Sequence, residues 1–284
     1  MNGESIKLSE LGVEVRDFLV SSVTPEYDRA TVTGRPGSIE RGGRYASRTI
    51  DIPVYFKAVD ILDYPFVRDK LFYWLGGIEP VWLYEGRRPY LNADYNEYLY
   101  GKRYLAKPSG AFSFDQQDIY GFSDSITFEL HDLPFGQSTG TTLNPFVVGQ
   151  TGDAKTDNIW ALGHAEVFRD DLRYSFTGNG TFNVYNGGTE AVNPRYMPLV
   201  IKYAGASSNL TITNRTNGTR WKFNGDSTAS QTIVIDGVRS MLGAQSIVRN
   251  TTGELLTLEP GDNEIVVSGA SGGTLTFDFR FYFR

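Results

Sequence analysis

Two histidines, His131 and His164, are the only imidazoles among 284 residues, and cysteine is absent. The lack of cysteine excludes thiolate nucleophiles, disulfides and Cys-type zinc sites together. His131 beside Asp132 has the pairing that can orient a general base. It also ends an alternating run, where a polar strand-end residue is expected on ordinary grounds. His164 lies in the other half of the chain, so the two imidazoles do not suggest one site. No serine is expected on a Gly-x-Ser-x-Gly elbow between strand and helix, and no Ser-His-Asp triad is expected. Asp170-Asp171, and the pair Asp115 and Asp118, could flank a glycosidic bond or hold a cation. Carboxylates in such turn-rich stretches are ordinarily solvated. Residues 34–43, with Arg35, Arg41 and Arg44, lack the Gly-Lys-Ser/Thr ending of a phosphate loop and read as a flexible turn. No catalytic, cofactor or metal residue is assigned, and the chain is not expected to be an enzyme.

Aromatic faces offer different chemistry. Trp221 beside Arg220, Tyr203 and Tyr185 could stack on a sugar ring or meet a protein partner if they face outward. Trp221 alternates with Arg220 and Lys222, so it suits a core position equally well.

The elements that would position these groups are strands. Leu275, Phe277, Phe279, Phe281 and Phe283 share one face of the C-terminal run, and Thr276, Asp278, Arg280, Tyr282 and Arg284 the other. That is the period of two of a half-buried strand in an antiparallel sandwich or barrel. With 17 Tyr, 18 Phe and 31 Gly, short strands joined by tight turns are expected rather than long helices. Up to Gly136 there are 15 Lys and Arg against 20 Asp and Glu; beyond it there are 12 against 13. An acidic first half argues against a grip on nucleic acid phosphates. It suits a surface that DNA must pass without adhering. No apolar run approaches the roughly 20 residues needed to cross a bilayer. The start, Met-Asn-Gly-Glu-Ser-Ile-Lys, lacks a basic segment followed by an apolar core, so folding in a cytoplasm is expected.

The first half, 1–136, has strand patterns at 13–18, 29–33, 48–56, 81–84, 103–106, 111–114 and 125–131. One helix, about 63–76, opens with Asp63 or Tyr64 as cap and Pro65 in the first turn, and stops at Gly76. Phe66 or Val67, Leu71, Trp74 and Leu75 form its apolar stripe. Residues 137–158 read as a linker carrying one short strand near Pro145 to Val148. From 159 to 284, strand patterns at 182–185, 197–203, 210–214, 220–223, 232–235, 246–249, 255–259, 264–268 and 274–283 alternate with turn signals, the rhythm of a β-sandwich.

In order, Asn186-Gly187-Gly188, Pro198-Leu-Val-Ile-Lys202, Leu210-Thr-Ile-Thr-Asn214, Ile233-Val-Ile-Asp236 and Leu258-Glu-Pro-Gly-Asp-Asn-Glu-Ile265 precede the aromatic last strand. The first half carries Gly34-Arg-Pro-Gly37, Arg48-Thr-Ile-Asp-Ile-Pro-Val-Tyr-Phe56, Arg68-Asp-Lys-Leu71, Arg103-Tyr-Leu-Ala106 and Ile126-Thr-Phe-Glu-Leu-His-Asp-Leu-Pro-Phe135. This ordered set, from about Gly12 to Phe283, resembles the distal tail (Dit) proteins of long-tailed, non-contractile phages, the siphophages. The resemblance implies a mainly β chain: an N-terminal split-barrel-like domain with one helix, and a galectin-like or carbohydrate-binding-module-like sandwich pointing outward. It implies a hexameric ring of this chain that joins the tail tube to the tail-tip protein and leaves a channel for DNA. The partners implied are the chain itself, tail-tube and tail-tip proteins, and a receptor-binding protein or cell-wall glycan, with no membrane insertion and no cofactor. The implied place is the virion tail tip, after synthesis in the host cytoplasm. Residues 85–107, rich in Tyr and charge, are long for a hairpin connection and are expected to form an arm that docks a partner ring. The alternative reading is a carbohydrate-binding module or accessory domain of a cell-wall-acting protein.

Overall fold

Ile50, Ile52, Val54 and Phe56 alternate with Thr49, Asp51, Pro53 and Tyr55, and in the computed structural model the first set is buried along one strand, Thr49–Lys57. The structure describes residues 6–58, 60, 62–87, 99–117, 121–144, 160, 169 and 171–284. The chain is mainly β, with 53% of residues in strands and one α-helix among those described. It divides into two units: Met1–Leu83, Tyr104–Gly136 and Arg284 form the first, and Tyr84–Arg103 with Gln137–Phe283 the second.

In chain order the first unit holds β1 (Val13–Val15), β2 (Leu19–Val20), β3 (Thr24–Thr31), β4 (Ser38–Ser47), β5 (Thr49–Lys57) and α1 (Tyr64–Leu75). Next come β6 (Val81–Arg87) and β7 (Leu99–Pro108), which contribute to both units, then β8 (Asp115–Gln116) and β9 (Gly121–Leu130). β5 pairs antiparallel with β1, β2 and β9, and β9 also pairs with β8 and the end of β7. The register sets Ile50 opposite Phe128, Ile52 opposite Ile126 and Phe56 opposite Phe122, so one face is apolar except for Asp124, which lies opposite Val54. Helix α1 lays Leu71 and Leu75 on that face, with Val67 and Trp74 packed partly against it. Tyr64 from the first turn stacks on Phe122 at 3.8 Å and donates its hydroxyl to the Phe114 carbonyl at 3.3 Å.

Asp63 does not cap α1 with its side chain. Asp60 Oδ1 instead accepts the amides of Leu62 and Asp63, at 2.7 and 3.0 Å, an Asx turn that fixes the approach to the helix. Residues 111–114 form no strand. Phe112 and Phe114 point their rings at Phe72 and Phe56 instead, at 5.4 and 5.2 Å, and aromatic packing replaces a ladder.

The second unit begins with β10 (Gly136–Ser138), β11 (Ser175–Thr177), β12 (Gly180–Asn186), β13 (Leu199–Ala204) and β14 (Ser207–Asn214). It continues with β15 (Arg220–Lys222), β16 (Asp226–Ser227), β17 (Thr232–Asp236), β18 (Arg239–Leu242) and β19 (Gln245–Ser246). β20 (Gly261–Ala270), β21 (Thr274–Phe279) and β22 (Tyr282–Phe283) end it. A six-stranded sheet runs β11-β21-β13-β17-β18-β19, and a five-stranded one β12-β20-β14-β15 with β16 beside β14. Their inner faces meet: Phe176 of β11 stacks on Phe182 of β12 at 4.7 Å, and Trp221 Nε1 donates to Ser240 Oγ of β18 at 3.1 Å. This is a β-sandwich.

Three stretches differ from the alternation in the sequence. The C-terminal run leaves its first sheet after Phe279, and Phe281, Tyr282 and Phe283 are buried in succession. Arg280 causes the departure: its guanidinium donates to the carbonyls of Ser138 and Thr139, and the Phe281 amide donates to Ser138 Oγ, which seats β22 beside β10. Burial pushes the Arg280 pKa down. Residues 255–259 form only a bridge, Leu258 to Val192. The Thr257 carbonyl is taken by Asn214 Nδ2 at 2.9 Å and its amide by Thr219 Oγ1 at 3.2 Å, so neither is left for a ladder. Residues 246–249 give way to a 3₁₀ turn, Val248–Asn250, which tucks Ile247 inward.

Candidate assembly surface

The residues 34–43 expected to be a flexible turn belong instead to a long ribbon. β3 and β4 pair only with each other, and nearly every residue of both is exposed. Gly34 and Gly37, both with φ of 82°, close the tip, a backbone that side-chain-bearing residues adopt only with strain. Arg44 Nε meets Glu26 at 2.7 Å across the ribbon, and Arg29 lies over the Tyr27 ring at 5.0 Å. Exposed contacts of this kind contribute about 1 kcal/mol or less. Outside its own two strands the ribbon meets Phe135 through Tyr45, with ring centroids 5.8 Å apart, and is otherwise almost wholly open to solvent. A two-stranded ribbon with so little buried surface is at best marginally stable alone in water.

The helix continues the same surface chemistry. Opposite Leu71 and Leu75, α1 and its flanks leave Leu62, Phe66, Tyr73 and Ile78 at 82, 61, 77 and 94% exposure. Of the 17 exposed large apolar side chains among the described residues, 12 lie between Val15 and Trp82. Isolated exposed apolar residues are ordinary, whereas apolar residues that gather into one exposed patch mark an interaction surface. The sequence carried this signal as a surplus: the helix segment has more large apolar residues than one buried stripe can absorb. The strand expected at 29–33 overlaps the end of β3, whereas β4 was not expected, because Gly42-Gly43 and dense charge leave no apolar alternation there. Across the sheet from the core, β1, β5 and β9 present Glu14, Asp51, Ser125, Thr127 and Glu129, with Thr127 Oγ1 donating to Asp51 at 2.5 Å and Arg16 over Tyr55 at 4.9 Å.

The candidate sugar platform takes another form. Trp221 and Tyr203 are buried at 2 and 1% exposure, because the alternation turns them into the sandwich. Tyr203 donates its hydroxyl within a cage formed by the Ala206 and Gly272 carbonyls, each at 2.5 Å, and burial raises its pKa. Tyr185 is half-buried, and Arg169 covers its ring at 4.3 Å. Asp171 binds that guanidinium through both carboxylate oxygens, at 3.0 and 2.7 Å. The bond to Asp171 raises the Arg169 pKa, and the bond to Arg169 lowers that of Asp171. The three aromatic residues are therefore not assembled on one open face.

Nor do the groups considered for catalysis converge. His131 is exposed just past β9, with its backbone amide on the Leu105 carbonyl at 2.8 Å. Asp115 is exposed on β8, while His164, Asp118, Asp170 and residues 145–148 lie outside the described residues. The Gly-x-Ser-x-Gly pattern occurs twice, around Ser138 and Ser271. Neither is a strand-to-helix elbow: Ser138 is fully buried with its hydroxyl on the Gly140 carbonyl at 2.7 Å, and Ser271 lies in the turn between β20 and β21. No group of three or more potential metal ligands occurs among the described residues. None of their helices is long and apolar enough to cross a membrane. Of the stretch 85–107, the described flanks belong to β6 and β7, which pair, and 88–98 lie outside the described residues.

Residues 2–130 match the phage tail protein RIFT-related domain. The chain as a whole has a Dit-like fold. It is similar to the crystal structure of the SPP1 Dit protein, described as a paradigm of hub adsorption apparatus in phages infecting Gram-positive bacteria, with a TM-score of 0.63 at 11% identity over 96% of this chain and 95% of that one. Two structures of the phage p2 baseplate in its activated conformation, with calcium and with strontium, align at TM-scores of 0.39 and 0.37. Their identities are 11 and 10%, over 95 and 94% of this chain and 90% of each. No curated protein sequence matches the chain.

Proposed function

We propose that this chain is the hub of a siphophage tail tip, a hexameric ring between the tail tube and the tail-tip and receptor-binding proteins. The observation that carries this reading is the surface of the first unit: an almost wholly exposed ribbon, and 12 of the 17 exposed large apolar side chains among the described residues. An oligomer held by that unit would cover both. The carboxylates and hydroxyls on the outer face of β1, β5 and β9 would line the channel, where like charge limits adhesion of passing DNA. The sandwich would project as a galectin-like module toward a receptor-binding protein.

The test is the mass of the purified protein by light scattering, with negative-stain imaging of the peak. A six-fold ring with a central hole is the expected result. A monomer at all concentrations, together with measurable affinity for cell-wall glycan, would overturn the hub in favour of a carbohydrate-binding module.

A further inference from the structure

Asn-Gly is the dipeptide in which an asparagine amide is easiest to lose, because glycine offers no Cβ to hinder attack by its own nitrogen. It occurs five times in this chain, at Asn2, Asn179, Asn186, Asn217 and Asn224. Asn2 lies outside the described residues. The remaining four share the same local chemistry but sit in unlike environments.

Asn186 is fully buried, with Nδ2 on the Glu190 carbonyl at 2.9 Å and Oδ1 accepting from the Gly188 amide at 3.0 Å. Asn217 is held at both ends: Nδ2 donates to Thr257 Oγ1 at 2.8 Å and to Glu259 at 3.2 Å, and Oδ1 accepts from the hydroxyl and amide of Thr219 at 2.7 and 3.1 Å. Asn179 is exposed, but its Oδ1 accepts the Ala270 amide at 2.7 Å. Asn224 is exposed at the turn between β15 and β16, and its side chain makes no hydrogen bond among the described residues. The Gly225 amide likewise donates to none of them, so neither the electrophile nor the nucleophile is restrained.

We propose that Asn224 is the deamidation site of the folded sandwich. The Gly225 nitrogen, losing its proton to solvent base, attacks Asn224 Cγ; the new bond closes a succinimide as the bond from Cγ to Nδ2 breaks and ammonia leaves. Water then opens the ring at either carbonyl, giving aspartate or isoaspartate. Either product adds a carboxylate to the turn. Isoaspartate also adds a methylene to the backbone, at a turn pinned on both sides: the Asn224 amide donates to the Asn250 carbonyl at 2.7 Å, and the Gly225 carbonyl accepts the Asn209 amide at 2.9 Å. Neither contact fits the longer backbone, so the modified turn loosens where it meets β14.

The experiment is incubation of the full-length protein at mildly alkaline pH, with peptide mapping by mass spectrometry and isoaspartyl methyltransferase labelling over time. Asn224 should convert at least about tenfold faster than Asn186 or Asn217, whose hydrogen bonds must first open, with Asn179 between. In urea the four sites should convert at similar rates, since only the fold separates them. Equal rates in the native protein, or an intact Asn224 while another of the four converts, would overturn the proposal. Asn224→Ser should abolish labelling of the peptide that holds position 224, the fastest-labelled site of the sandwich, and leave labelling at Asn179 and Asn2 unchanged.

Discussion

Replacing Tyr27 with serine tests the assembly surface directly. Tyr27 lies on the ribbon with 51% of its surface open to solvent. A Tyr side chain has about 200 Å² to bury, so a partner that covers it removes about 100 Å² from water, worth about 2.5 kcal/mol at 25 cal/mol/Å². Serine forfeits nearly all of this, which weakens each subunit contact by roughly sixtyfold in Kd. The fold should barely notice: the lost intramolecular partner is Arg29, 5.0 Å above the ring, an exposed contact worth about 1 kcal/mol at most. Light scattering across a dilution series should show Tyr27→Ser dissociating at far higher concentration than the parent, while the two melt within a few degrees of each other. An unchanged dissociation curve would refute the assignment of the ribbon to the contact. A collapse in melting temperature would refute the claim that its side chains are free in the lone protomer.

Excising residues 26–44 and joining Pro25 to Tyr45 through Asn-Gly keeps Tyr45 against Phe135, and should leave the thermal melt of the first unit nearly intact and abolish assembly; a protein that still forms rings would move the interface elsewhere. Leu71→Ala, at a fully buried position on α1, should cost about 2–5 kcal/mol by denaturant unfolding, and a loss below about 1 kcal/mol would mean the helix does not cover the sheet. Tyr203→Phe leaves the Ala206 and Gly272 carbonyls without their donor and should cost about 1–2 kcal/mol near neutral pH. Because burial raises the Tyr203 pKa, the folded state favours the protonated phenol. The parent's stability should therefore fall as pH climbs above about 10, and the gap to the variant should narrow there; a pH-independent gap would refute that account. Gly188→Ala would drive a Cβ to 2.5 Å from the Tyr282 carbonyl oxygen and should unseat β22, seen as rapid hydrogen exchange at residues 280–284.

Wherever burial on one face alternates with solvent on the other, the protein's own letters were enough. The strands at 49–57, 121–130, 199–204, 232–236 and 274–279, and the helix between Pro65 and Gly76, follow from periods of 2 and 3.6 and from turn chemistry. Local signals of this kind depend on residues only a few positions apart. What only the tertiary structure decided depends on partners far away in sequence: Arg280 reaching the carbonyls of Ser138 and Thr139 and so turning the last strand out of its sheet, and Asn214 taking the Thr257 carbonyl that a ladder would have used. Trp221 shows the same division. Its alternation with Arg220 and Lys222 established that it points away from them, and packing over Ser240 settled that this direction is the core. Most of the ribbon lay beyond the reach of patterning for a different reason: apart from Tyr45 against Phe135 its strands bury almost nothing within their own protomer, so beyond the stretch at 29–33 no apolar alternation records them.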